Sequence, residues 1–132
     1  MSRSVAEKLT IKPNTTLWLS DDQHLARIEP LPEGVTLAAG PADATIAVIF
    51  ADGSTSLRRA LTKHKKSLRR PKSLWVAYPK ANKADINRDS VWPIVAEYGL
   101  RPISQVAIDD TWSALRFRPL AEGEAQFTGG RK

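Results

Sequence analysis

Apolar and polar residues alternate along this chain in blocks of strand and helix length. Residues 15–19 (TTLWL) form a short β-rich run. The Ser20-Asp21-Asp22 triplet behind it offers caps for a helix through His24, Leu25 and Ile28, which Pro30 and Pro32 end. Residues 35–38 read as a weak second strand. Residues 44–51 (ATIAVIFA) are apolar almost throughout. A strand apolar on both sides belongs at the centre of a parallel sheet, where helices cover both faces. The clearest helix is predicted over residues 54–72, with Leu57, Leu61, His64 and Leu68 recurring on one stripe. Residues 74–78 (LWVAY) form the next apolar strand, and a polar loop runs on to residue 89. Asp89 or Ser90 caps a helix through Val91, Trp92, Val95 and Tyr98. Pro93 falls in its first turn, and Gly99 takes the left-handed position after it.

The end of the chain follows a different rhythm. Residues 102–108 and 111–118 are two strand-like runs separated by Asp109 and Asp110, a spacing that predicts an antiparallel hairpin. In the second run Trp112, Ala114 and Arg116 face one way, and Ser113, Leu115 and Phe117 the other. The alternation of strands and helices predicts an α/β fold, a three-layer Rossmann-like sandwich. Its sheet is mostly parallel and is closed by a C-terminal antiparallel hairpin. By analogy with methyltransferase-like sheets, the last strand inserts beside LWVAY. Residues 1–14 are expected to be an N-terminal arm, residues 15–119 a single domain, and residues 120–132, poor in apolar side chains, a disordered tail.

Three stretches carry a resemblance. AEKLTIKP, LWVAYPKANKADINRDSVWP and QVAIDDTWSALRFRP are similar to a widespread family of small bacterial proteins of unknown function, common in actinobacteria. The resemblance runs from about residue 6 to residue 119 and implies a compact α/β domain, with no activity attached. One departure is Asn14, which stands where the family has a glycine; asparagine also tolerates a left-handed backbone.

Composition narrows the function classes. At 132 residues the chain has the size of one domain, and it contains no cysteine. Zinc ribbons, iron–sulfur clusters and thiol catalysis are thereby excluded. The N-terminal MSRSVAEKL lacks the apolar core of a secretory signal, and no run approaches the roughly 18 apolar residues of a membrane span. A cytoplasmic protein without a membrane role is expected. The net charge of +6 is concentrated: between Gly53 and Ala84 there are ten basic residues and no acidic one.

The candidate chemistry is sparse. A dinucleotide fingerprint needs glycines after the first strand, but the turn here is Ser20-Asp21-Asp22-Gln23, whose carboxylates would repel a phosphate. No P-loop is present. NAD, FAD, ATP or S-adenosylmethionine in the usual mode, and a cofactor generally, are therefore not expected, although a degenerate relative of a nucleotide-binding or methyltransferase fold stays open. Ligands of open α/β sheets bind beyond the carboxyl ends of the strands, which draws attention to loop 78–89. Its candidate ligand-binding residues are Tyr78, Lys80, Asp85, Asn87, Arg88 and Asp89. Lys80 and Arg88 suit an anion, and Asp85 or Asp89 suits a hydroxyl or the role of a base. The alternative is structural: Asp89 as a cap, Asp85 and Asn87 as turn residues, Arg88 paired with Asp109 or Asp110.

The basic helix over residues 55–72 offers a second candidate. Arg58, Arg59, Lys63, Lys65, Lys66, Arg69 and Arg70 fall on an arc opposite the leucine stripe. Such an arc suits nucleic acid or an acidic protein, and equally a solvated face that keeps the chain soluble. His24 and His64 are too few for a metal site; His64 reads as a partly buried core residue, and His24 with Asp21 and Asp22 as a cap arrangement. The four tryptophans read as packing. The first expectation is a non-enzymatic module that binds a small anionic ligand or a protein partner. The alternatives are a nucleic-acid-associated protein that uses the basic helix, and an enzyme with its site at loop 78–89.

Overall fold

Ile46–Phe50 and Ser73–Pro79 are buried at every position, and the other elements are arranged to cover them. The computed structural model describes residues 5–68, 70–80, 86 and 88–119. In chain order these form α1 (Val5–Lys8), β1 (Thr16–Leu19), α2 (Leu25–Ile28), β2 (Thr36–Leu37), β3 (Ile46–Phe50) and α3 (Ser54–Lys63). Then come β4 (Ser73–Pro79), α4 (Arg88–Ala96), β5 (Leu100–Ala107) and β6 (Trp112–Pro119). One sheet holds all six strands in the order β2-β1-β3-β4-β6-β5. The first four are parallel; β6 lies antiparallel between β4 and β5. This is the Rossmann-like sandwich expected from the pattern, with the last strand beside LWVAY.

Alternation along each strand sends side chains into two cores. Trp18, Ala47, Ile49, Leu74, Val76, Leu115 and Phe117 pack with Leu57 and Leu61 of α3 and Val91 and Val95 of α4. Leu17, Leu19, Val48, Trp75, Ala77 and Ala114 pack on the other face with Ala6 of α1, Leu9 and Ile28 of α2. Residue 6 onward is thus anchored in the core, where an arm was expected. The edges are kept short or irregular. β2 has two residues, and β5 shifts register between Pro102 and Ser104. Such edges resist pairing with another chain.

Three local expectations need correction. The helix predicted to residue 72 ends at Lys63. His64 leaves helical geometry, and the N–H groups of Ser67 and Arg70 donate to His64 and Ser67, three residues back, at 2.8 and 3.1 Å. A further turn would set Lys63, Lys65 and Lys66 beside more like charges. The chain must also bring Leu68 into the core and descend to β4, and Pro71 cannot continue a helix. Next, α4 starts at Arg88, so Pro93 lies inside it and not in its first turn; fully buried Ile86 anchors the chain just ahead. Finally, the hairpin connection has four residues, 108–111, in place of two. The Asp109 carboxylate accepts the N–H groups of Thr111 and Trp112 at 2.8 and 2.7 Å and so builds the turn itself. The left-handed positions agree with the sequence: Asn14 has φ 61° and Gly99 φ 81°.

Trp75 ties the N-terminal segment to the sheet. Its side chain is 1% exposed, and its Nε1–H donates to the Leu9 carbonyl at 2.9 Å. Trp75→Phe removes that bond and part of the packing and is expected to cost about 1–3 kcal/mol in urea unfolding. Amide exchange at Ile11 should accelerate more than at Leu115. A loss below about 0.5 kcal/mol would show that the indole does not hold this segment.

Candidate functional site

The chain leaves β1 toward β2 on one side and leaves β3 toward β4 on the other. The strand order therefore reverses between β1 and β3, and ligands of open α/β sheets bind outside the carboxyl ends at such a point. Ser20 closes the crevice at its floor. Its N–H donates to the Val48 carbonyl at 3.0 Å, and its hydroxyl accepts the Phe50 N–H at 2.8 Å. Asp21 then accepts the N–H of Gln23 at 3.0 Å, which turns the chain into a short 3₁₀ turn, Asp22–His24. That turn delivers the His24 ring to the mouth.

His24 is the centre of an aromatic group. It stacks on Phe50, centroids 4.2 Å apart, and stands edge-on to Trp112 at 4.9 Å; Phe50 and Trp112 meet at 5.4 Å. Phe50 and Trp112 are buried, while the His24 side chain keeps 18% of its surface exposed. Arg27 lies one turn further on. It donates from Nε to His24 Nδ1 at 3.0 Å, pairs with Asp109 at 2.9 Å, and holds its guanidinium 5.6 Å from the Trp112 ring centre. Because Nδ1 accepts from Arg27, the neutral ring carries its proton on Nε2, which faces Asp21 Oδ2 at 4.0 Å.

Electrostatics sharpen this geometry. Burial lowers the His24 pKa below its ordinary value. The Asp21 charge opposes that shift and the Arg27 charge reinforces it; Asp109 and Asp52 also raise it, and the net direction is down. Three carboxylates therefore act on one neutral imidazole. Burial raises the Asp109 carboxyl, but the N–H groups of Trp112 and Thr111 and the Arg27 guanidinium more than offset it, so it titrates below its ordinary value. Among the described residues no group of three or more His, Asp or Glu side chains could hold a metal ion. The Ser56 hydroxyl in the first turn of α3 accepts from the N–H groups of Asp52 and Gly53 at 3.1 and 3.2 Å.

The residues singled out from the sequence are placed differently. Tyr78 is a core residue whose hydroxyl accepts from Gln105 Nε2 at 2.8 Å. Lys80 is half-buried, and its backbone N–H donates to the Thr111 carbonyl at 2.8 Å. Asp85 and Asn87 lie outside the described residues. Arg88 and Asp89 open α4, with only their backbone described. The partner of Asp109 is Arg27, where Arg88 was one expectation. Arg58, Arg59 and Lys63 are helical, whereas Lys65, Lys66 and Arg70 sit in the turns beyond Lys63, and Arg69 lies outside the described residues. The expected arc is therefore not one helical face, and Arg58 pairs with Glu97 at 3.3 Å. His64 packs edge-on against Trp18 at 4.8 Å, as a core residue should. The sequence reading passed over Arg27, Phe50 and Trp112 as site residues. A signal existed in the polar Ser20–Asp22 turn at the end of the first strand, but nothing local linked it to residues 109–112.

No protein-family model and no curated protein matches the chain. Solved structures do. Sp1610 of Streptococcus pneumoniae, described as a tRNA (m1A22) methyltransferase, aligns over 98% of this chain and 74% of its own, with TM-score 0.56 and 12% identity. Its complex with S-adenosyl-L-methionine aligns over 95% and 73%, with TM-score 0.55 and 13% identity. A protein of the NADB-Rossmann superfamily from Streptococcus agalactiae gives TM-score 0.58 over 97% and 72%, at 10% identity. The M1A22 tRNA methyltransferase TrmK of B. subtilis gives 0.55 over 92% and 68%, at 10% identity. At these identities the likeness shows the fold. It corrects the expectation of a non-enzymatic binding module, because the fold's solved examples include methyltransferases, one with S-adenosyl-L-methionine bound. No helix among the described residues is long and apolar enough to cross a membrane.

His24 and His64 are both held below their ordinary value of 6.5, by burial first. The unfolded chain then takes up protons that the folded chain refuses. Stability from this source is present above about pH 6.5 and is lost as the pH falls through the lower folded values. The thermal midpoint should drop between about pH 7.5 and about pH 5.5, and His24→Gln or His64→Gln should flatten that drop. An unchanged slope in both variants would refute it.

Proposed function

We propose that this chain is a methyltransferase-like enzyme that takes S-adenosylmethionine at the carboxyl ends of β1 and β3, over His24. The observation that carries the reading is the sheet order, with β6 antiparallel between β4 and β5. The alignment with the S-adenosyl-L-methionine complex spans 95% of this chain. The charge of the mouth supports the same reading. A carboxylate-rich turn repels a pyrophosphate, but S-adenosylmethionine has no phosphate; its sulfonium and its ammonium are cations. Asp21 and Asp52, which both act on His24, fit those groups. Fit to a dinucleotide is poor, because the turn lacks the glycines that let backbone approach a pyrophosphate.

When bound, the cofactor supplies a methyl group activated on a positively charged sulfur. The chain's own residues prepare the mouth for a cation. Asp109 pairs with Arg27 and offsets its charge at the mouth. His24 stays neutral and offers its ring edge, and Phe50 and Trp112 hold that ring in place. A cytoplasmic location accompanies this reading. We extend it to the bacterial family whose motifs the chain resembles, since TWSALRFRP supplies Trp112.

Titration calorimetry on the full chain tests the reading. S-adenosylmethionine should bind saturably, and more tightly than S-adenosylhomocysteine, whose sulfur is uncharged. ATP and NAD should not bind. Asp21→Asn with Asp52→Asn should weaken S-adenosylmethionine at least about tenfold, or ~1.4 kcal/mol. Absence of binding at millimolar S-adenosylmethionine, with the protein folded, would sink the proposal.

A further inference from the structure

The opposite end of the sheet holds a second polar feature. A cleft of about 230 Å³ lies where the segment before β1 crosses the amino ends of β3 and β4. Three cations line it: Lys12 from that segment, Lys72 just before β4, and Arg116 from β6. Thr10, Thr45 and Ser73 stand among them, and among the described residues no carboxylate lines the cleft. Ser73 is buried, with its hydroxyl 3.4 Å from that of Thr10. The Thr45 carbonyl accepts the N–H groups of Lys72 and Ser73 at 2.8 and 3.1 Å, which fixes Lys72 at the lip.

Arg116 is the anomaly that points to a ligand. It sits in a central strand, opposite Trp75 on β4 and Ser104 on β5. Its Nε is buried and has no hydrogen-bond partner. The residue as a whole is half-buried, but a buried donor left without an acceptor is costly. Lys12, Lys72 and Arg116 come from distant parts of the chain, so nothing but the fold brings three like charges to one cleft. An anion would meet the orphaned donor and relieve that repulsion.

We propose that this cleft binds a tetrahedral oxyanion of the phosphate class, free or as a small phosphomonoester. Size decides against a nucleotide. The volume falls below the ~300–1,000 Å³ typical of pockets that enclose drug-sized ligands. Arg116 provides directional donors, and Lys72 and Lys12 provide charge. The site is separate from the His24 mouth and does not depend on how that mouth is read.

The test uses the full chain in a phosphate-free buffer at constant ionic strength. Inorganic phosphate should raise the thermal midpoint saturably, sodium chloride should not reproduce the effect, and glycerol phosphate should act as phosphate does. Arg116→Met and Lys72→Met should each weaken phosphate binding at least tenfold. Lys65→Met with Lys66→Met, in the exposed turns, should leave it unchanged. Without phosphate, Arg116→Met should melt no lower than the wild type, since it removes an unpaired buried donor. If that variant fails to fold, Lys72→Met and Lys12→Met carry the comparison. The proposal is overturned if phosphate has no saturable effect, if both Lys72→Met and Lys12→Met bind phosphate as the wild type does, or if only long polyanions such as heparin bind.

Discussion

Burial of β3 and β4 on both faces is the constraint from which the rest of the structure follows. No position in either strand reaches solvent freely, so each face of the sheet needs its own layer. α3 and α4 supply one; α1, α2 and the segment through Leu9 and Ile11 supply the other. With both faces closed, side chains of the central strands meet a ligand only at the rims. The carboxyl rim carries an aromatic ring group with Asp21 beside it and Arg27 paired to Asp109, and the amino rim carries a cleft lined by three cations.

β6 connects the two rims. It runs antiparallel to β4, so its first residue lies at the carboxyl rim and its later ones approach the amino rim. Trp112, Ala114 and Arg116 share one face. Trp112 backs the His24 ring, Ala114 packs in the core, and Arg116 reaches the cleft. At about 3.3 Å per residue, four residues span roughly 13 Å of sheet. A parallel strand in that position would have presented these residues at the wrong ends. The inserted antiparallel strand therefore serves both rims.

Much of this architecture was legible in the sequence, because it rests on local patterns. The apolar runs that became β3 and β4, the stripe of Leu57 and Leu61, and the two-sided alternation of β6 each appear within a dozen residues. What failed was also local in origin. Residues 63–72 keep helical periodicity in their apolar positions, yet like charges, Pro71 and the demand that Leu68 enter the core end the helix at Lys63. The sites were illegible for a different reason. Lys12, Lys72 and Arg116 meet only through sheet register, and His24 meets Trp112 only once the hairpin is inserted. The conspicuous basic run at 58–72 drew attention because it is contiguous. Its described members divide between α3, the turns beyond Lys63 and, for Lys72, the lip of the cleft, and Arg58 pairs with Glu97.

The Ser20-Asp21-Asp22 turn bears differently on anions and on cations. Carboxylates at the end of the first strand do oppose a phosphate, and the lack of glycine does keep the backbone from approaching one closely. Both statements concern anionic ligands. Toward the sulfonium and ammonium of the proposed ligand the same carboxylates change sign in their effect. The turn also has a job that glycine could not do: the Ser20 hydroxyl accepts the Phe50 N–H and locks the ends of β1 and β3 together. Phe50 is then fixed as the platform on which His24 stacks. The residue types that exclude a dinucleotide are the ones that build an aromatic, acidic mouth, and that mouth lies at the strand-order reversal where such folds bind their ligands.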